Sequence, residues 1–387
     1  MIAISDSAAL MDTAPRPVPD VALPVPIDDD RISTPAILID LAKMGANIAH
    51  MAEVARSMGA ALRPHAKTHK SADIATRQIH AGAVGVCCST VGEAQALAEA
   101  GVRNITLAYP VVGRGKLDRL VDLARSADLS LVADSLDVAQ GYAAVAERAN
   151  RRIDTLVEID TGMHRSGAPV DDVLEIARYI TTQLSLSFHG ILTHAGHAHD
   201  ATDQVGIATV ARAEAAQMRE VRDLLERQGI PVRVVSAGSS ITAPYFTPGD
   251  GITEIRPGTY VYNDMRTLSN WACSIDQIAV SVLTTVVSVS TDRIVVDAGS
   301  KTLTMTKTSA HGFGYMPKFP DARFERLSEE HGVILISDAG ERLSVGDRVE
   351  ILPIHVCVCI DLQREVYGVD HGSIVERIPV HGFRRSN

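Results

Sequence analysis

From Leu62 onward, short β-branched runs alternate with amphipathic stretches, and the alternation counts to eight. The strand-like runs are 62–67, 85–90, 104–109, 129–134, 155–160, 186–194, 232–237 and 254–262. Between them, segment 92–101 puts alanines and leucine on one face and glutamates on the other, then stops at a glycine. Segments 115–127, 136–149, 169–182 and 207–228 follow the same period. Eight strands each followed by a helix predict a (β/α)₈ barrel, whose usual size is about 240 residues. An open doubly wound sheet is the alternative, weakened because no Gly-x-Gly-x-x-Gly follows the first strand. From Ile275 the period changes. Runs 280–289, 293–296, 332–335, 348–352 and 354–360 are strand-like, with turn signals between them. The expected division is an extended, Pro-rich arm at 1–33, the barrel at 34–274 and a mostly-β domain at 275–387. The run 34–41 is assignable to the β domain instead.

Composition narrows the function class. A chain of 387 residues exceeds one ordinary core, so a large and a smaller domain are expected. Hydrophobic residues at 46% and charged residues at 22% are those of a globular enzyme rather than a disordered or fibrous chain. A net charge of -10 without a basic stripe argues against a nucleic-acid partner. No apolar run approaches the roughly 20 residues that span a bilayer. The first thirty residues lack the basic start and apolar core of a signal peptide, and five cysteines, an odd number, predict reduced thiols and a cytoplasmic location.

Barrel enzymes carry their chemistry at the carboxyl ends of the strands. The first predicted strand ends at Lys67, inside Arg63-Pro-His65-Ala-Lys67-Thr-His69-Lys70. Neighbouring cations make protonating one more amine costly, which moves a lysine toward the range where its free amine attacks a carbonyl. A solvated basic turn is the bland alternative. After the seventh strand stands Ser236-Ala-Gly238-Ser239-Ser240, and in the eighth Pro257-Gly258-Thr259. Glycines and hydroxyls at these points let backbone amides close on a phosphate. A reactive lysine plus a phosphate cradle predicts pyridoxal 5′-phosphate. In the loop His194-Ala-Gly-His197-Ala-His199, one catalytic histidine, His194, is the simplest account, with His197 and His199 unassigned.

A resemblance sharpens this. The run 63–70, Ser-Thr-Val-Gly-Glu-Ala at 89–94, Asp160-Thr-Gly-Met-His-Arg-Ser-Gly167, Arg256-Pro-Gly-Thr-Tyr260 and Ser328-Glu-Glu-His-Gly332 together resemble one enzyme branch. It is the D-threonine aldolase and D-serine dehydratase branch of the alanine-racemase-type pyridoxal-phosphate enzymes. The similarity runs from about Thr34 to the C-terminus. The first motif is specific to the branch, and the Asp160–Gly167 motif is shared with racemases. The resemblance implies that Lys67 is the cofactor lysine and that Ser236, Gly238, Ser239, Gly258 and Thr259 form the phosphate turns. It further implies that Arg165 faces the cofactor's phenolate oxygen and that Tyr262 lies near the cofactor. For Arg165 a rim salt bridge with Asp160 is an equal alternative.

A second cluster lies at 354–361. Alternation on a strand puts His355, Cys357, Cys359 and Asp361 on one face. Such a face is more often plain sheet surface. The resemblance, however, implies a divalent cation at a His-x-Cys (dehydratase) or His-x-Asp (aldolase) pair here. His355 with Cys357 or Asp361 is the expected ligand set. Magnesium or manganese is expected on the aldolase resemblance, and zinc or cobalt if Cys357 binds as thiolate. The implied activity is carbon–carbon cleavage of 3-hydroxy-D-aspartate to glycine and glyoxylate. D-threonine cleavage, loss of water from D-serine or 3-hydroxyaspartate, racemisation and a non-catalytic pyridoxal-phosphate carrier are the rivals. A two-fold homodimer is expected, the β domain of one chain meeting the other's barrel mouth. The substrate's distal carboxylate requires an arginine or lysine that the sequence does not single out.

Overall fold

The computed structural model describes residues 21–385; residues 1–20 of the expected arm lie outside them. Eight strands lie side by side, all parallel, in the order Ala61–Leu62, Glu254–Ile255, Val234–Ala237, Leu186–Thr193, Ile153–Ile159, Asp128–Ala133, Asn104–Leu107 and Val86–Cys88. A bridge between His65 and Cys87 joins the two ends and closes the ring. The barrel is the expected one, and its strands read as continuous apolar runs because helices cover them outside. The helices begin where short polar side chains take up unpaired N–H groups: Thr90 accepts from Glu93, Ser135 from Val138 and Asp203 from Gly206. Inside the barrel, Val132, Leu156 and Leu192 form a small apolar plug beneath the mouth.

Two strand ends differ from expectation. The first strand is short, and Ala66–Thr68 forms a 3₁₀ turn. Pro64 has no N–H to continue a ladder, and the His65 ring accepts the Lys67 N–H. The eighth strand stops at Ile255. Pro257 and Gly258 interrupt it, and Thr259–Val261 is a second 3₁₀ turn.

The second sheet has its own apolar core, built around Ile39, Val282, Val296, Ile334 and Ile351. Ala36–Asp40 lies in this sheet, parallel to Glu365–Asp370 and antiparallel to Val280–Val289. Val25–Pro26 pairs with its far edge at Ser373–Ile374. The chain then enters the barrel through the helix Leu41–Met58, which Gly59 ends in a left-handed turn.

Residues 354–360 are not a strand, which corrects the expectation. Arg348–Pro353 is a strand, and Val356–Asp361 is a short helix. Its buried residues Val356, Cys359 and Ile360 are spaced i, i+3, i+4, while Val358 is exposed. The helix forms because the buried Asp264 carboxylate accepts the Val356 N–H at 3.0 Å, anchoring the first turn. The apolar run fits either period. A partner 92 residues away in sequence selects the helix.

Candidate active site

The carboxyl ends of the barrel strands and the second domain enclose a cavity of about 360 Å³. Lys67 lines it from the 3₁₀ turn, with His65 and His194 beside it. Both imidazoles are held well below the ordinary histidine range, first by burial and then by the positive charge of Lys67, Arg256 and Arg165. Both are therefore neutral. The positive crowd around Lys67 is therefore not the one its own segment suggests. Burial keeps His69 neutral, at about 4. Lys70 is paired to Asp361 at 2.5 Å. The cations left are Arg165 and Arg256, brought from other strands.

Arg165 makes no ion pair with Asp160. That carboxylate is occupied by the His164 ring at 2.8 Å and by the N–H groups of Gly162 and His164. Among the described residues the Arg165 guanidinium has no hydrogen-bond partner. Arg256 is buried and fixed; it donates to Ser236 Oγ at 2.6 Å and to the Thr193 carbonyl. Sequence reasoning quoted Arg256 within a motif and overlooked it as a site residue.

The two expected phosphate turns meet at the cavity. Ser240 Oγ accepts the N–H groups of Gly258 (3.2 Å) and Tyr260 (3.0 Å) and so clips the turns together. Ser239, Ser240, Gly258 and Thr259 line the cavity. The backbone N–H groups of Ser240 and Thr259 have no acceptor among the described residues. Gly258 lies so close to the lysine turn that a Cβ would stand 3.0 Å from Thr68 Oγ1. Gly238 shapes its turn from behind: φ is +81°, a Cβ would lie 2.9 Å from Phe246, and its N–H is used on Glu214 at 3.1 Å.

Three expected cofactor contacts do not reach the cavity. Gly238 stands behind it, as described. Ser236 is inside the barrel, its hydroxyl held between Glu254 and Arg256. Tyr262 is fully buried in the core of the second domain. Side chains alternate about a strand or turn, and sequence spacing alone does not say which face looks into the mouth.

His355 and Cys357 face the cavity from the opposite side. Asp264 receives His355 Nδ1 at 3.3 Å, and Cys357 Sγ lies 3.3 Å from Thr68 Oγ1 on the lysine turn. Burial disfavours charge on His355, yet the hydrogen bonds with Asp264 and Cys357 hold it up at about 10. Burial likewise opposes the Cys357 thiolate, but the His355 partner lowers this thiol below its ordinary range. Asp264 orienting Nδ1 leaves Nε2 for the cavity, the usual carboxylate support of a metal-binding histidine. Asp361 and Cys359 do not join them: the helix turns Cys359 away from Cys357, and Asp361, one turn on from Cys357, is drawn off by a lysine. Asp361 is bound to Lys70, and Cys359 is buried with its thiol donating to the His355 carbonyl. No group of three or more His, Cys, Asp or Glu side chains gathers as metal ligands among the described residues. His355 and Cys357 fit an ion held by two protein donors with its other positions open. The donor pair, nitrogen and sulfur, suits zinc-like ions better than magnesium.

His199, left unassigned in its histidine-rich loop, lines the cavity, as do Glu158, Arg266 and Thr267, which nothing in the sequence pattern distinguished. His199 is oriented by Asn270, 2.8 Å from its Nδ1, and burial raises Glu158 above the usual carboxylate range. The cavity thus offers a lysine amine, three arginines, unpaired turn amides and neutral imidazoles. That set fits an anionic aldehyde cofactor carrying a phosphate.

Comparison with known proteins agrees. The model of the alanine racemase N-terminal domain matches residues 39–265, and that of a serine dehydratase domain matches 279–369. D-threo-3-hydroxyaspartate dehydratase of Delftia sp. (strain HT23) is 33% identical over 84% of this chain and 91% of its own. 3-Hydroxy-D-aspartate aldolase of Paracoccus denitrificans (strain Pd 1222) is 30% identical over 92% and 93%. A solved structure of a D-threo-3-hydroxyaspartate dehydratase mutant in the metal-free form superposes with a TM-score of 0.84 at 30% identity, covering 90% of this chain and 97% of that one.

Proposed function

The chain belongs to the alanine racemase N-terminal domain family, in the branch of the D-threonine aldolases and 3-hydroxyaspartate lyases, and on that footing we propose that it is a lyase of 3-hydroxy-D-aspartate. Its family is one of pyridoxal-phosphate-dependent aldolases and dehydratases acting on D-amino acids, and the protein is an enzyme of that kind. The observation that carries the reading is the meeting, in one cavity, of Lys67 with its phosphate turns and of the His355–Cys357 pair from the other domain. A plain racemase or carrier has no use for that pair.

When bound, pyridoxal phosphate supplies an electron sink for the pair released at the substrate's Cα. The protein's part is positional and electrostatic. Lys67 would hold the cofactor through its amine. Arg165 would compensate negative charge on its ring, and the free N–H groups of Ser240 and Thr259 would hold its phosphate. His194, neutral and lining the cavity with Lys67, is the base we assign to the proton of the substrate's β-hydroxyl; breaking the Cα–Cβ bond then releases glyoxylate, and a proton returned to Cα gives glycine. His355 and Cys357 would hold a divalent ion, whose Lewis acidity lowers the pKa of that hydroxyl. With Asp361 committed to Lys70, zinc or cobalt is favoured over magnesium or manganese.

One observation supports a second reading, loss of water from the same substrate. Cys357 stands where the resemblance puts a cysteine in dehydratases, and the Delftia dehydratase is among the relatives. There Lys67 would take the α-proton, and His355 and Cys357 would hold the ion whose Lewis acidity suits loss of the hydroxyl.

The test incubates purified holoenzyme with the D and L isomers of 3-hydroxyaspartate, threonine and serine. Glycine with glyoxylate from the D-dicarboxylate is expected; a keto acid with ammonia selects the second reading. A chelator should abolish either reaction, and zinc or cobalt should restore it. Full activity in protein shown by elemental analysis to be metal-free removes the ion's role. Racemisation alone refutes the lyase reading.

A further inference from the structure

Two guanidinium groups line the cavity without a hydrogen bond or ion pair among the described residues: Arg165 and Arg266. They stand on different sides. Arg165 belongs with His65 and His194, both of which feel its charge. Arg266 acts on His199, which also feels Asp264 and His355. Its place is set by backbone as well. Arg266 N–H donates to the Ile354 carbonyl at 3.0 Å, and the neighbouring Asp264 carboxylate holds both His355 Nδ1 and the Val356 N–H. The helix Met265–Ser269 and the segment 354–356 are therefore stitched together, so Arg266 enters the cavity from the segment that carries His355's support.

Substrate chemistry says what a cation there can do. In 3-hydroxyaspartate the hydroxyl and the second carboxylate are both on Cβ. Whatever holds that carboxylate must lie next to whatever holds the hydroxyl, and it must not be a cation already committed elsewhere. Lys67 carries the cofactor, Arg256 is fixed on Ser236 and Thr193, Lys70 is neutralised by Asp361, and Arg165 sits on the Lys67 side. Arg266 remains, and its fork of donors matches a carboxylate.

We propose that Arg266 selects a substrate with a second carboxylate on Cβ, discriminating 3-hydroxyaspartate from threonine and serine, which carry methyl or hydrogen there. The inference rests on the lyase reading above. Arg266 is a specificity residue; the bond-breaking groups are elsewhere.

The experiment compares holoenzyme with Arg266→Leu and Arg266→Lys, reading the ratio of kcat/KM for 3-hydroxy-D-aspartate over D-threonine. Loss of a charge-assisted pair lowers that ratio roughly 30- to 100-fold for Arg266→Leu. The lysine variant keeps charge but not the fork, and an intermediate loss of roughly 10-fold is expected. Calorimetric titration gives a readout independent of turnover: the dissociation constant of D-aspartate should rise by a similar factor relative to that of D-alanine. Equal losses on both substrates, or an unchanged ratio, overturn the proposal while leaving the lyase reading intact. A wild-type enzyme that prefers D-threonine or D-serine overturns the substrate reading and this inference with it.

Discussion

Asp361→Asn separates a structural carboxylate from a metal ligand. The Lys70 side chain is 8% exposed, and its ammonium has Asp361 at 2.5 Å as its ion-pair partner. Removing one member of a buried pair leaves the other charge uncompensated, at a cost of about 3–5 kcal/mol. Asp361 is 28% exposed, so water reaches its side of the pair and the expected loss falls to about 2–3 kcal/mol. Urea unfolding of the wild type, Asp361→Asn, Lys70→Met and the double variant measures it. The pair should show a coupling of about 1–2 kcal/mol, the double variant being less damaged than the sum of the singles. Metal content, determined in parallel, should stay near the wild-type level in Asp361→Asn and fall in His355→Ala. If Asp361→Asn loses its metal as completely as His355→Ala and unfolds at the wild-type midpoint, Asp361 is a ligand and the Lys70 pairing is incidental.

Four further outcomes are expected. Burial depresses His69 to about 4 in the folded protein against an ordinary 6.5, so between those values the unfolded chain binds the extra proton. Stability is thus complete above about 6.5 and falls as pH drops toward 4, by up to about 3 kcal/mol from this group; His69→Gln should flatten that part of the profile, and an unchanged acid limb refutes it. Gly238→Ala forces a Cβ into a left-handed backbone beside Phe246, which should cost about 1–3 kcal/mol and lower cofactor content after dialysis; a fully loaded variant contradicts the turn's role. Lys67→Ala should lose the visible absorption and the borohydride-fixed label, which in the wild type should sit on the Lys67 peptide; a label on Lys70 defeats the assignment. Sedimentation should give a two-fold homodimer, and a fully active monomer excludes it.

Much of the architecture could be read from the chain by itself. Eight βα units announce themselves because each is specified within some thirty residues by hydrophobic period and helix caps such as Thr90, Ser135 and Asp203. Lys67, Ser239, Gly258 and Thr259 were legible for the same reason: barrel topology puts strand ends at one mouth whatever the side chains are. His355 and Cys357 were found through a false geometry, since the run 354–360 suits a strand or a helix equally. The bond that the Val356 N–H donates to Asp264 selects the helix, in which Asp361 meets Lys70 and Cys359 is buried. Tertiary packing also decided that Ser236 and Tyr262 face away from the cavity and that Arg256 and Arg266 face into it. Local periodicity is a property of neighbours along the chain. The face a lone side chain shows, and the charge it meets there, are set by contacts across sixty to three hundred residues, which no short stretch of sequence contains.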